Sequence, residues 1–272
     1  MWPKQLVEWT EDSTAYLSVV FSWDLQDAYQ RAVWYKSQGY NVRAGGPAVA
    51  LNPDFLSDVA EIGGTVDALS HHNPDATFTS RGCIRHCSFC AVPKIEGNLI
   101  ELNDWPIKPI VCDNNLLACS HKHFDDVIDK LKSLSDVDFN QGLDVRLMTN
   151  YHAQRLAELD THCLRLAWDY TRDEDQFMTA FQRLTDAGIK PNHIHVYVLI
   201  GFDDTPDDAL YRLSTVRKLN AWPNPMRYQP LDARMRNEYV APNWTERKLR
   251  HYMRYWSRLC WLDHIPFEEY KR

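Results

Sequence analysis

A chain of 272 residues, 44% apolar and 25% charged, has the composition of a folded globular protein and the length of one large or two small domains. Its net charge of −7 excludes a surface that is basic throughout. No apolar run approaches the roughly 18–20 residues that span a bilayer, and the first residues carry no export signal. We therefore expect a cytoplasmic protein without membrane contact, whose cysteines stay reduced.

The first predicted unit is a strand, a helix and a second strand. An apolar, β-rich run at residues 15–23 precedes a helical pattern at 25–39, which ends at a glycine, and a short strand at 40–47. Two strands joined through a helix are expected to lie parallel. The pattern therefore predicts a βαβ extension within residues 1–75.

From residue 76 onward, short apolar strands alternate with amphipathic helices. Strands are predicted at residues 76–80, 108–113, 137–145, 163–169, 193–201 and 225–231. Helices are predicted between them at residues 124–134, 151–160, 173–188 and 205–220. This α/β pattern predicts a parallel (βα)6 partial TIM-like barrel over 76–232 and a helical segment over 233–272. In such folds the reactive groups lie at the carboxyl ends of the strands.

Three cysteines, Cys83, Cys87 and Cys90, follow the first strand of this repeat in a C-x3-C-x2-C spacing. Structural zinc sites usually close with four ligands. The next Cys and His residues are interpreted as packing and surface residues: Cys112, Cys119, His121 and His123. An iron–sulfur cubane has four irons, so three thiolates leave one iron open to a small molecule. The spacing therefore favours a cluster with an open coordination position.

The cysteine run, with Phe89 before its last thiol, resembles the signature of the radical S-adenosylmethionine superfamily. The resemblance covers about residues 76–232. The stretch YVLIGFDD matches the family's fifth-strand motif, which borders the adenine, at Leu199, Gly201 and Asp204. It departs from that motif at Tyr197, where the family has a glycine.

The exits of the second, third and fourth strands carry further likenesses to the family. The stretch CDNN is similar to the variant of the methylthiotransferase and cobalamin-associated branches, which implies contacts of Asp113, Asn114 and Asn115 with the methionine amino group. The positions of Gln141 and Asp169 imply contacts with the ribose and carboxylate of S-adenosylmethionine. Each of these residues could instead be a strand-end cap or an ion-pair partner.

The resemblance implies an enzyme whose cofactors are one [4Fe-4S] cluster on the three cysteines and S-adenosylmethionine. In the family, one electron from the reduced cluster cleaves the sulfonium to methionine and a 5′-deoxyadenosyl radical, which abstracts a hydrogen atom from a substrate. The electron is expected from a reducing partner such as flavodoxin or ferredoxin. Cys163 and Cys260 stand alone, so we expect no second cluster.

His195 and Tyr197 are the candidate catalytic residues, since they alternate with Leu199 on the fifth predicted strand and should point into the barrel. His195 is interpreted as a proton donor, a substrate contact or a histidine satisfied inside the core. The N-terminal βαβ resembles the end of a cobalamin-binding domain. It lacks the D-x-H-x-x-G motif, so no cobalamin is expected.

Residues 243–261 predict a helix with an apolar stripe and a basic stripe. The basic stripe consists of Arg247, Arg250, Arg254 and Arg258. It is either a solvated face or a phosphate contact, with Tyr252 and Tyr255 available to stack on bases. The second interpretation favours a nucleotide or nucleic-acid substrate, whereas the net charge favours a small metabolite or peptide.

Two other classes of protein remain open from the sequence. The cluster could belong to an electron-transfer protein without catalysis, and the cysteines could belong to a zinc-stabilised interaction module.

Overall fold

The computed structural model describes residues 5–65 and 67–271. Within these residues the chain is a mixed α/β protein with parallel sheets. It divides into two compact units that alternate along the sequence. The first unit comprises the described residues of Met1–Thr77, Arg85–Asn98 and Gln229–Glu238, and the second those of Phe78–Ile84, Leu99–Tyr228 and Tyr239–Arg272.

The first unit is built on a four-stranded sheet. Its strands are β1 (Leu6–Glu11), β2 (Thr14–Val19), β3 (Asn41–Gly45) and β4 (Glu61–Ile62). Strands β1 and β2 are antiparallel, whereas β2, β3 and β4 are parallel neighbours. Helix α1 (Leu25–Ser37) connects β2 to β3, so the predicted βαβ unit is confirmed. The unit also contains α2 (Pro47–Leu51), α3 (Ala68–His72), β5 (Ala76–Thr77) and α4 (Val92–Ile95).

Helix α1 packs against the sheet through one apolar stripe. Leu25, Ala28 and Ala32 recur at helical spacing and are fully buried. They belong to the same core cluster as Leu17 and Val19 of β2. Strand β1 was not predicted, because half of its six side chains are exposed and they show no clear alternation.

The second unit contains parallel strands joined through helices and one antiparallel pair, formed by its first two strands. Its strands are β6 (Ser80–Arg81), β7 (Ile100–Glu101), β8 (Ile110–Val111), β9 (Asp138–Phe139), β10 (Leu143–Asp144), β11 (Leu164–Ala167), β12 (Ile194–Ile200) and β13 (Trp222–Arg227). Its helices are α5 (His121–Leu131), α6 (Asn150–Leu156), α7 (Glu174–Asp186), α8 (Pro206–Lys218), α9 (Glu246–Trp256) and α10 (Leu259–Leu262). Strand β8 pairs with β9, and β10 to β13 are neighbours in chain order, all in parallel. The described strands form open sheets rather than a closed barrel.

Four of these helices begin after a hydroxyl side chain that accepts a hydrogen bond from the backbone of the first turn. The pairs, acceptor first, are Ser120 with the amide of His123, Thr149 with His152, Thr205 with Asp208, and Thr245 with Lys248. Such caps satisfy amides that have no partner within the helix. They explain why the predicted starts of these helices lie within a few residues of the observed ones.

Three predicted strands differ from the structure. The predicted strand 137–145 is two short strands separated by a turn at Gly142, whose φ is +86°. The predicted strand 225–231 starts earlier, at Trp222, and ends at Arg227. The predicted strand 76–80 is divided between β5 and β6.

The two faces of β12 differ in polarity. Ile194, Val196, Val198 and Ile200 are fully buried, whereas His195 and Tyr197, which lie between them, are partly exposed. Strands of parallel sheets are usually apolar on both faces, because both are covered. The side of β12 that carries His195 and Tyr197 is therefore more polar than the opposite side of the same strand.

Arg212 on α8 is fully buried and joins the ends of β11 and β12. Its Nη1 donates to the carbonyl oxygens of Trp168 (3.1 Å) and Asp169 (2.7 Å), which follow β11. Its Nη2 donates to the carboxylate of Asp204 (2.6 Å), which follows β12. A guanidinium can be buried only when its charge is compensated, and the carboxylate of Asp204 compensates the charge of Arg212.

The other carboxylate oxygen of Asp204 organises the turn after β12. It accepts from the amides of Gly201 (2.9 Å) and Phe202 (3.3 Å) and from the indole N–H of Trp244 (2.9 Å). Burial raises the pKa of Asp204, and Arg212, Trp244 and the two amides oppose that rise. The carboxylate thus holds the strand exit from within the protein.

Replacing Arg212 by Met should lower the free energy of unfolding by about 3–5 kcal/mol, because Asp204 is left as a buried charge without its partner. Urea unfolding at neutral pH measures the change. The matched control is Lys130→Met, which removes an exposed ion pair with Asp126 (2.6 Å) and should cost less than about 1 kcal/mol. Adding Asp204→Asn to Arg212→Met should recover part of the loss. Equal losses in Arg212→Met and Lys130→Met would show that the buried pair does not hold the strand ends.

Candidate functional site

Asp113, at the exit of β8, holds the segment that leads into the cysteine run. It is buried, and its carboxylate accepts from the amide of Thr79 (2.6 Å), the hydroxyl of Thr79 and the hydroxyl of Ser80 (2.8 Å). The Thr79 hydroxyl also lies 3.2 Å from Nε2 of His123. Residues 79 and 80 are thereby fixed just before Cys83.

Cys83 is buried beside Asn115 in the second unit. The side-chain amide of Asn115 donates to the Cys83 sulfur (3.6 Å) and to the carboxylate of Asp144 (3.3 Å). Asn115 is 3% exposed, and its Oδ1 has no hydrogen-bond partner within the described part of the chain. A buried carbonyl oxygen without a donor is costly. Asn115 therefore carries a buried hydrogen-bond acceptor without a donor among the described residues, and its side chain contacts the first cysteine.

Cys87, Phe89 and Cys90 belong to the first unit and are each partly buried. The amide of Cys90 donates to the carbonyl of Cys87 (3.0 Å), which forms a turn between the two thiols. Over residues 5–65 and 67–271, no group of three or more His, Cys, Asp or Glu side chains is arranged to hold a metal ion. The grouping of the three thiols into one site therefore rests on their C-x3-C-x2-C spacing in the sequence.

Two of the later cysteines, Cys112 and Cys119, lie in buried environments. Burial raises the pKa of both Cys112 and Cys119 to about 12, so both thiols stay protonated at neutral pH. Their side chains are buried in the second unit. The interpretation of these cysteines as packing residues agrees with these environments.

The exit of β10 carries an ion pair that the sequence interpretation missed. Arg146 donates through Nε (2.7 Å) and Nη2 (3.1 Å) to the two carboxylate oxygens of Asp144. The Asp144 side chain is 7% exposed and that of Arg146 33%. The signal was an Asp and an Arg two residues apart after a strand. The predicted Gln141 lies nearby in the sequence, exposed in the turn before β10.

Asp169 follows β11, and its carboxylate makes no hydrogen bond to the residues that the structure describes. Burial raises its pKa to about 6, and the charges of Arg212 and Arg146 partly offset that rise. Asp144 acts on it in the opposite sense. Asp169 is therefore a partly desolvated carboxylate within the field of Arg146, and it is available to a ligand.

Gly201 and Leu199 line the exit of β12. The φ of Gly201 is +74°, and a Cβ at this position would lie 2.7 Å from Cδ2 of Leu249 on α9. A side chain at position 201 would be strained by the backbone conformation, and it would require the end of the Leu249 side chain to move. Leu199 is 9% exposed, and Asn114, on the β8 exit, is partly buried.

His195 and Tyr197 share the polar face of β12, as predicted from their parity. Burial, and then the charge of Arg165, lowers the pKa of His195 to about 4, so its imidazole is neutral at neutral pH. The Tyr197 hydroxyl donates to the carbonyl of Asn140 (2.9 Å), and a Cβ at Gly142 would lie 3.3 Å from its ring. Tyr197 thus closes over the turn between β9 and β10, whereas His195 stays open to a ligand.

The C-terminal helix α9 places its two tyrosines in the core, not on the surface. Tyr252 donates to the carbonyl of Pro206 (2.8 Å) and Tyr255 to that of Ile265 (2.7 Å), and both rings are buried. The prediction that these rings stack on bases is wrong, because helical spacing directs them to the same side as Leu249.

The comparisons with known proteins leave the chain without an assigned family. No protein-family model matches its sequence, and no curated protein sequence matches it. None of the helices in the described part of the chain has both the length and the apolar character needed to cross a membrane.

Replacing Asp169 by Asn should stabilise the protein at neutral pH. The folded-state pKa is about 6 and the ordinary value 3.8, so the native carboxyl binds its proton more tightly than the unfolded one. Stability is therefore lost as pH rises from about 4 to about 6. The Asn variant should gain about 1–3 kcal/mol at pH 7, and the gain should vanish below about pH 4.

Urea unfolding across that pH range measures the difference. The matched control is Asp104→Asn, at an exposed loop position, which should follow the parent protein at every pH. A gain that is independent of pH would contradict the assigned environment of Asp169.

Proposed function

We propose that the chain is a radical S-adenosylmethionine enzyme. It holds one [4Fe-4S] cluster on Cys83, Cys87 and Cys90 and binds S-adenosylmethionine at the exits of its parallel strands. On this proposal the strands of the second unit belong to a (βα)6 partial TIM-like barrel. The support is their parallel order and the helix that follows each exit from β10 to β12.

The observation that carries the proposal is the buried carbonyl oxygen of Asn115. It has no donor among the described residues, although the amide of the same side chain reaches Cys83. The ammonium group of S-adenosylmethionine is a donor without acceptor capacity, so it is the complement that this oxygen lacks. The hydrogen bond from the side-chain amide of Asn115 to the sulfur of Cys83 would meanwhile tune the reduction potential of a bound cluster.

The remaining polar groups at the strand exits match the rest of that molecule. Arg146 suits the methionine carboxylate, since a guanidinium is positioned by Asp144 and still partly exposed. Asp169 suits the ribose hydroxyls, because its carboxylate has free acceptor capacity. Leu199 and Gly201 offer an apolar wall at the β12 exit for the adenine.

When bound, the cluster and S-adenosylmethionine supply a one-electron cleavage of the C5′–S bond, which yields methionine and a 5′-deoxyadenosyl group that takes a hydrogen atom from the substrate. The electron enters from a reducing partner of the flavodoxin or ferredoxin class. The chain's own residues bind and orient: Asn115 fixes the amino group of S-adenosylmethionine, and Arg146 fixes its carboxylate. The proposal places the enzyme in the reducing cytoplasm.

The cluster is tested by anaerobic reconstitution with iron and sulfide. We expect a brown protein with four irons per chain, and loss of colour and iron when Cys83, Cys87 and Cys90 are each replaced by Ala, since three thiolates hold it. The matched control is Cys260→Ala, which removes an exposed thiol and should retain the full iron content. With dithionite and S-adenosylmethionine, the parent should release 5′-deoxyadenosine.

The alternatives predict different results in the same experiment. A colourless protein that binds zinc would support the interaction module, and a brown protein that never cleaves S-adenosylmethionine would support electron transfer. Either result contradicts the proposed enzyme.

Replacing Asn115 by Leu should weaken S-adenosylmethionine binding to the reconstituted protein. The loss of a hydrogen bond to a charged group predicts about a tenfold to hundredfold rise in Kd. Equilibrium dialysis with labelled S-adenosylmethionine measures it, with iron content determined on the same sample. Asn192→Leu, at an exposed position, is the control. Unchanged Kd at unchanged iron content would remove Asn115 from the site.

A further inference from the structure

The basic face of the C-terminal helices is an exposed stripe of arginines that ends beside an exposed tryptophan. In α9, Arg247, Arg250 and Arg254 lie within about 60° of one another around the helix axis. All three are exposed, opposite the buried side that carries Leu249. The stripe therefore faces solvent.

The arginines of this stripe are mostly without counter-charges. Arg250 forms an ion pair with Glu246 (3.0 Å), which also binds Arg227 (2.7 Å). Arg247, Arg254 and Arg258 form no ion pair with the residues that the structure describes. In a chain whose net charge is −7, this is a local concentration of unneutralised positive charge.

Trp261 completes the surface. Its amide donates to the carbonyl of Arg258 (2.9 Å), the residue that precedes α10, so the two residues lie about one turn apart. Its side chain is 78% exposed, the largest exposed fraction among the large apolar side chains that the structure describes. Tyr252 and Tyr255 are buried, so Trp261 is the aromatic ring that this face offers.

We propose that the stripe of Arg247, Arg250, Arg254 and Arg258, with Trp261, binds single-stranded nucleic acid. Arginines without counter-charges contact phosphates and release counterions, and an exposed indole stacks on an unpaired base, which a duplex does not present. An acidic protein surface would pair with the arginines but would have no unpaired base to stack on the Trp261 indole. The ring is therefore what favours a single strand. The surface does not rest on the proposed radical chemistry, since its binding needs neither S-adenosylmethionine nor reductant.

The test is fluorescence anisotropy with fluorescein-labelled oligothymidylate and oligouridylate, each on the full-length protein between about 50 and 200 mM salt. We expect binding whose affinity falls with salt by about 0.7 log units per log unit for each phosphate contact. Arg254→Gln with Arg258→Gln should lower that slope by about 1.4. Trp261→Ala should weaken binding about fivefold to a hundredfold, and Trp261→Phe should retain most of it.

The matched control removes the same charge elsewhere. Lys122→Gln with Lys190→Gln changes two exposed lysines on other elements of the second unit and should leave the slope unchanged. Equal effects of the two double variants would overturn the proposal, because the binding would then follow net charge alone. Duplex bound as tightly as single strand, or an acidic protein bound with no effect of Trp261→Ala, would also overturn it. A difference between the two labelled strands identifies RNA or DNA as the ligand.

Discussion

The ion pair between the fully buried Arg212 and the mostly buried side chain of Asp204 is the constraint on which the strand exits of the second unit depend. It holds the ends of two neighbouring strands through a carbonyl oxygen on one and a carboxylate on the other. The main chain of Asp169 is fixed by the same contact. Asp204, which matches the acidic position of the family motif, uses its carboxylate for hydrogen bonds within the protein. It therefore supports the turn after β12 and does not face a ligand there.

The polar face of the parallel sheet shows how the environment changes the chemistry of ordinary side chains. Burial leaves His195 without charge at neutral pH and makes Asp169 reluctant to ionise. Both effects arise because burial disfavours the charged form of a side chain. Asp169 follows β11, whereas His195 is the second residue of β12 and lies at the amino end of that strand. A carboxylate whose ionised form is disfavoured at a strand exit is typical of sites where a ligand restores the missing interactions. The buried oxygen of Asn115 belongs to the same pattern.

Local sequence signals predicted the elements whose stability is local. The N-terminal βαβ unit and the helices after Ser120, Thr149 and Thr205 follow from apolar periodicity and hydroxyl caps. The end of the sheet was harder, because β13 contains Pro223 and Pro225, which argue against a strand. Proline is tolerated there since β13 lies at the edge of its sheet in the described structure.

Contacts between distant residues account for the rest. The break between β9 and β10 depends on the Tyr197 ring, which lies over Gly142 from more than fifty residues away. The bond from Asn115 to Cys83 likewise joins two strand exits that only the fold brings together. The motif placed Asn115 among the site residues, but the orphaned oxygen that gives it a role could be found only from the packed structure.

The contacts of the C-terminal segment with the β12 exit make it an integral wall of the second unit. Leu249 fills the space beside Gly201, the Trp244 indole holds Asp204, and the Tyr252 hydroxyl reaches the first residue of α8. A shortened protein that keeps only the alternating strands and helices would expose the turn at Gly201, and the carboxylate of Asp204 would lose its hydrogen bond from Trp244. Any truncated form of this protein would therefore have to retain roughly the last thirty residues to keep the exit of β12 packed.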